Sequence, residues 1–561
     1  MSKPVKIILI SVLSIILVGL VIYCIGFSRQ PEENIANTSA KTSEEALAEA
    51  ARLLNSAATG NASAQNITLS DSGAHSVKIS SPGIYKVSGT LSEGQLTVNC
   101  NGEVILILDG VEIRNSSGSA ILIEDASHTM VYLAEGSNNI IVSGTEQEIT
   151  GANASTDSAT GATLYSRDNL SIGGSGTLSV GGYINNAIAT TNHLSVLGGE
   201  LSLTAVNNGL KGNDSVTVLG GNINMSCGND GVKSENDISI EDGTITIAGG
   251  NAASNQPVDM PARPDDMSIP SDMQKPGNMP NPSDMQQPEN VPAQPDMQQP
   301  ENMPNRPDMQ QFGGRPQNEM PDRNQNFFNV ANTSKNSKGI VCPGTVNISG
   351  GNITIANAFE GIEGRQIYVS GGNLSITASD DGFNANGSYR SADGLSAPIL
   401  KISGGNVLVN ADGDGLDSNG DIIIEGGYVI VDGPSNSANG ALDAGTEDGG
   451  ILAVHGGTVL AIGASGMAES FGDKSTQFSF IKNFSEMLQA GTKITISDSN
   501  GNVIFEYSGA KAFNSIVFSS PDLVLGNTYT ISAGSLSESV TIDSISSGNS
   551  TGGFGRGGFG R

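Results

Sequence analysis

Two sets of acidic residues recur at a fixed offset from one another along this 561-residue chain. They belong to a repeated triplet of Gly, an apolar residue and a polar residue: GLK at 209–211, GVK at 231–233, GIV at 339–341, GIE at 361–363, GFN at 382–384 and GLD at 415–417. The third position gives Lys211, Lys233, Val341, Glu363, Asn384, Asp417 and, from a related GALD, Asp443. The residue before the Gly gives Asn208, Asp230, Lys338, Glu360, Asp381 and Asp414. Both series turn acidic together, and Asp380 and Asp412 stand at nearby turn positions. If each repeat is one coil of a stack, equivalent carboxylates lie about 4.8 Å apart. Such neighbours repel unless protons or a cation sit between them. Ca2+ takes six to eight oxygens at about 2.3–2.6 Å, so ligands on opposite sides of one ion are about 5 Å apart. A lone Asp-Gly only marks a tight turn. Two coincident acidic columns ask for a cation, and Glu360, Glu363, Asp380, Asp381, Asn384, Asp412, Asp414, Asp417 and Asp443 are its candidate ligands. Lys211 and Lys233 are expected to continue the column as compensating charge.

The elements that must position these residues follow from the spacing. First members of successive triplets are 22, 108, 22, 21 and 33 residues apart. A second marker keeps step with them: LGGELSL, LGGNINM, EDGTITI, SGGNITI, SGGNLSI, SGGNVLV, EGGYVIV and HGGTVLA. The apolar runs are short and alternate with period two, so they are strands rather than helices. Two or three strands per coil, turning at Gly and Asn, predict an all-β right-handed parallel β-helix, a β-solenoid, over residues 66–475. The interval of 108 is one period plus an insertion. Residues 252–334, with near-copies such as PDMQQPENMP and SDMQQPENVP, are that insertion and are expected to be disordered. From 476 to 545 the period is lost and a small β cap is expected, because an open strand edge invites pairing with other chains. The residues from 546 to 561 form a Gly-rich tail.

Ahead of the strands, Ile7 to Phe27 is a 21-residue run without a charged side chain, preceded by Lys3 and Lys6. It is long enough to cross a bilayer as a helix, with the body on the extracytoplasmic side. We therefore expect a single-pass anchor over residues 1–28, uncleaved, and a stalk over 29–65 with a helical stretch around Glu44 to Leu54. The formal net charge of −30 repels phosphate backbones, which argues against a nucleic acid partner. None of the four cysteines, Cys24, Cys100, Cys227 and Cys342, forms a pair at metal-ligand or redox spacing.

The runs GVEIRNSSGSAILIED, SGGNITI, SGGNLSI, DDGFNANG, DGDGLDSNG and NSIVFSSPDLVLGNTYTISAG resemble the clostridial family of carbohydrate-binding parallel β-helix proteins. The resemblance implies a calcium-bearing body at a bacterial surface that binds plant-cell-wall polysaccharide, acidic pectic polymers included. The fold is also similar to that of pectate lyases, in which Asp-held calcium grips a uronate and a Lys or Arg removes its C5 proton. Asp380, Asp381 and Asn384 match part of that calcium motif. The following coils carry Asp417 and Asp443 where a lysine base would stand, which argues against catalysis. The expected partner is an acidic polysaccharide such as polygalacturonate, with cellulose as a further candidate. Absence of Trp favours the acidic ligand, and Tyr368, Tyr389 and Tyr428 offer a modest sugar platform. The alternatives are a lyase using Arg365 or Arg390 as base, or a surface adhesin stiffened by calcium.

Overall fold

A computed structural model describes residues 37–60, 63–71, 76–145, 161–249, 337–388 and 395–548. The membrane run at 7–27, the insertion at 252–334, residues 549–561 of the tail, Tyr389 and Arg390 lie outside the described residues, while Ser546–Gly548, expected to belong to the tail, is a strand paired in parallel with Ser479–Ile481. No described helix is long and apolar enough to cross a membrane.

Strands hold just over half of the described residues and make long parallel sheets in a solenoid-like stack, with turns between them and one helix. One coil shows the plan. Glu360–Gly364, Gln366–Val369 and Asn373–Ala378 form three short strands, and each pairs in parallel with its counterpart in the next coil. The triplets occupy one face, a 12-stranded sheet running from Ser76–Ile79 to Leu442–Ala444. Its inward ladder is the middle triplet residue: Leu210, Val232, Ile340, Ile362, Phe383, Leu416 and Leu442 are all buried. Each such side chain contributes about 1.5–3 kcal/mol by leaving water. The triplet Gly is required by space. A Cβ on Gly361 would stand 2.3 Å from the Gly382 carbonyl oxygen and 2.4 Å from Ile376. The second Gly of each GG marker serves a different need, shown by Gly372 at φ 87° and Gly405 at φ 86°, a left-handed corner that other residues rarely adopt.

Two outward patches of the stack are apolar where another element covers them. The helix Asn37–Gly60 places Ala46, Ala50, Leu53 and Ala57 on one face. Leu53 and Ala57 pack on Ile105, Ile107, Met130 and Ala134. The segment expected to be a stalk therefore includes a docked helix, longer than Glu44 to Leu54, because its Ala and Leu spacing matches an apolar stripe on the first coils. At the other end, Leu408, Ile430 and Leu460 meet a cluster containing Ile494, Phe505, Phe518, Tyr529 and Ile531. These belong to the closing region, where Phe513–Ser519 pairs antiparallel with Thr458–Gly463. Four strands, Val503–Ser508, Lys493–Ser497, Thr528–Ala533 and Leu536–Thr541, complete it as an antiparallel sheet. Cys100, Cys227 and Cys342 are buried free thiols.

Candidate functional site

The parallel register puts Lys211, Lys233, Val341, Glu363, Asn384, Asp417 and Asp443 opposite one another in successive coils. The column before the Gly is organised by a side-chain ladder. Asn208 Oδ1 accepts the backbone N–H of Asp230 at 3.1 Å, and Asp230 Oδ1 accepts that of Lys338 at 3.0 Å. Later, Asp381 Oδ1 accepts the N–H of Asp414 at 2.7 Å, and Asp414 Oδ1 that of Gly440 at 2.6 Å. Asn and Asp are interchangeable in this task, since each offers one oxygen to the coil above. Only Asp leaves a second, charged oxygen free. The turn role therefore leaves a charged oxygen available in the same residue.

Carboxylate oxygens of Glu360, Asp380 and Asp381 lie within 4.8 Å of one another. Gly413 opens the space beside them, because a Cβ there would come within 2.5 Å of Oδ1 of both Asp380 and Asp381. The Asn384 amide points its Nδ2 at Asp381 Oδ2, 3.4 Å away, while its own Oδ1 is buried without a hydrogen-bond partner. Burial pushes the Asp381 carboxyl up to about 7, assisted by the charges of Asp380 and Asp414. Burial, then Asp381, Asp414 and Asp443, pushes Asp417 up to about 8. Asp443 rises to about 6 through burial and Asp414, and Asp380 and Asp414 are raised by burial. The three hard carboxylate oxygens of Glu360, Asp380 and Asp381 form a donor set that suits a divalent cation of calcium's coordination habit.

The remaining candidates are placed differently. Glu363 bonds the Lys338 ammonium and accepts from Asn386 Nδ2 at 3.2 Å. Asp412 is exposed and pairs with Lys511 of the closing region at 2.6 Å, with Lys511 also donating to the Ala411 carbonyl. Its position in the DGDG turn faces that lysine. Among the upstream bases, Lys211 Nζ stands 3.2 Å from Glu235 and Lys233 Nζ 3.4 Å from Asp230. The arginine considered as a base, Arg365, donates to the carbonyl oxygens of Ser396 and Ser388. Tyr428 lies 6.2 Å from the Phe505 ring and is half-buried beneath the closing region, and half-buried Tyr368 stands in register between Asn347 and Lys401.

A profile described as carbohydrate-binding domain-containing protein matches residues 73–382 and again residues 329–551. The chain belongs to this carbohydrate-binding domain family. A carbohydrate-binding domain-containing protein of Acetivibrio thermocellus is 40% identical over 131 residues, which is 23% of this chain and 45% of that relative. The chain thus spans less than half the length of that curated relative. A solved structure of the polysaccharide lyase-like protein from C. thermocellum, a gadolinium derivative, is 23% identical, covers 63% of this chain and 84% of that chain, and superposes with a TM-score of 0.27. That superposition is too loose to transfer the role of any residue.

One acidic residue beside this face has no counterpart in the triplet pattern. Glu469 lies just past the last repeat, and burial with the Asp443 charge pushes its carboxyl up to about 7. It lines a small cavity with Ala441, Ala464, Ser515 and Val517. Periodicity carries no signal for it because the chain has already left the coils.

Proposed function

We propose that this member of the carbohydrate-binding domain family is a calcium-dependent, non-catalytic binder of acidic polysaccharide, held outside the cell membrane by residues 7–27. We read its body as a right-handed parallel β-helix and its polymer as polygalacturonate-like. The observation that carries the reading is charge without a partner. Among the described residues, no lysine or arginine ion-pairs with Asp380, Asp381, Asp414, Asp417, Asp443 or Glu469, although they crowd one face of the stack. A cation seated there relieves their repulsion and leaves coordination positions for a uronate carboxylate. A bare acidic face repels such a polymer, which makes the metal a condition of binding.

Two observations favour binding over eliminative chemistry. A base must be neutral and within reach of the proton it removes. The Lys338 side chain is engaged by the carboxylates of Glu360 and Glu363, and Arg365 is committed to loop carbonyls. The test is a pull-down on polygalacturonate with and without chelator, beside an ultraviolet assay for unsaturated uronate. Retention with calcium, release by chelator and no rise in absorbance are expected. Retention indifferent to chelator removes the calcium dependence, and a rising absorbance makes the protein a lyase.

A further inference from the structure

The boundary of the acidic stretch is marked by a lysine. Lys338 Nζ stands 2.7 Å from Glu360 Oε2 and also bonds Glu363 Oε2. Glu360 is one coil beyond Lys338 in the register, and Val341, the triplet residue of the Lys338 coil, faces Glu363. The ammonium therefore lies between two carboxylates of one coil, with its stem rising from the coil before. Glu360 is 8% exposed and Lys338's side chain 21%, so the contact is shielded from solvent. Oxygens of Asp380 and Asp381 lie within 4.8 Å of a Glu360 carboxylate oxygen. One carboxylate thus joins a tethered cation to Asp380 and Asp381, with which no described base forms an ion pair.

Upstream, lysines also meet carboxylates: Lys233 accompanies Asp230 at 3.4 Å, and Lys211 accompanies Glu235 at 3.2 Å. Downstream of Glu360, no described base ion-pairs with Asp380, Asp381, Asp414, Asp417 or Asp443, and Lys511 reaches only Asp412 beside them. We propose that Lys338 is a built-in counter-ion that occupies the position a divalent cation would hold between Glu360 and Glu363, and so fixes where the metal-binding stretch begins. An ammonium supplies one charge and three donors but cannot gather further oxygens, whereas a divalent ion can. By holding Glu360, Lys338 also weakens that carboxylate as a ligand to an ion shared with Asp380 and Asp381. This inference rests on the calcium reading above.

The test is calorimetric titration of the full chain with calcium chloride, comparing wild type with Lys338→Met. The variant keeps the apolar stem and removes the charge. It is expected to bind one more ion per chain, or to tighten the site that includes Glu360 by about tenfold or more, since a competing unit charge a few ångströms away is gone. The double variant Lys338→Met/Glu363→Gln should return to the wild-type number of ions, because the new gap then has only one carboxylate. If Lys338→Met folds only in calcium, the rescue itself supports the proposal, and rescue by magnesium or sodium equally well overturns it. Wild type that binds calcium beside a variant with the same stoichiometry and affinity overturns this inference alone. No calcium bound by either protein overturns it together with the functional reading.

Discussion

Asp381 Oδ1 accepts the backbone N–H of Asp414 at 2.7 Å, one coil along the stack, so the same side chain that crowds the acidic face also fastens two coils together. The two tasks separate by substitution. Asp381→Asn keeps an oxygen for the ladder and removes the charge, whereas Asp381→Ala removes both. We expect the Ala variant to lose about 1–3 kcal/mol, the cost of leaving a buried N–H unmatched. The Asn variant should match or exceed wild-type stability in chelator, yet bind calcium as poorly as Ala. Chemical denaturation and calcium titration of the three proteins check this.

Stability should depend on pH in a direction opposite to that of most acidic proteins. Asp381, Asp417, Asp443 and Glu469 are held near 7, 8, 6 and 7, above their ordinary values near 4. Between about pH 4 and pH 8 the folded state therefore keeps protons that the unfolded state has released. Stability in chelator falls as pH rises through this window and is greatest at its acid end. Calcium acts on the ionised form, so its stabilisation should grow from pH 5 to pH 8. At a hundredfold excess over the dissociation constant it amounts to about 2.7 kcal/mol. Thermal melts at the two pH values, with calcium and with chelator, test both signs. A metal-free protein more stable at pH 8 contradicts the assignment.

Gly413 gives a steric test. Gly413→Ala forces a methyl to within 2.5 Å of Oδ1 of both Asp380 and Asp381, and the carboxylates or the turn must move. Overpacking of this kind costs about 1–3 kcal/mol. Calcium affinity should fall by about tenfold or more, while Gly501→Ala, at a turn where an added Cβ meets nothing within 4 Å, should leave calcium affinity unchanged. Equal calcium binding by Gly413→Ala and wild type would show that the Asp380 and Asp381 oxygens are not ligands.

Much of this was legible before any coordinates because stacking turns sequence spacing into register. Lys211, Lys233, Val341, Glu363, Asn384 and Asp417 share one column since each follows its Gly by two residues, and Asp443 joins it three residues after Gly440. What spacing cannot convey is side-chain reach. The Lys338 ammonium crosses to Glu363, and Lys511 arrives from about a hundred residues away to take Asp412. Glu469 follows the last repeat and has no periodic neighbour to expose it. The helix Asn37–Gly60 showed its Ala and Leu pattern, but its docking surface at Ile105, Ile107 and Met130 sits in strands whose outward residues only a structure identifies.

The central claim is that calcium on the acidic face is what holds an acidic polymer. Affinity electrophoresis in gels containing polygalacturonate and calcium tests it most directly, comparing wild type with Asp380→Asn/Asp381→Asn, which keeps the ladder oxygen and loses two charged ligands. Wild type should be retarded and the double variant should run as it does without polymer, with migration in a neutral-glucan gel the same for both. Equal retardation of the two proteins by polygalacturonate would contradict the claim and leave the acidic columns a purely structural feature of the stack.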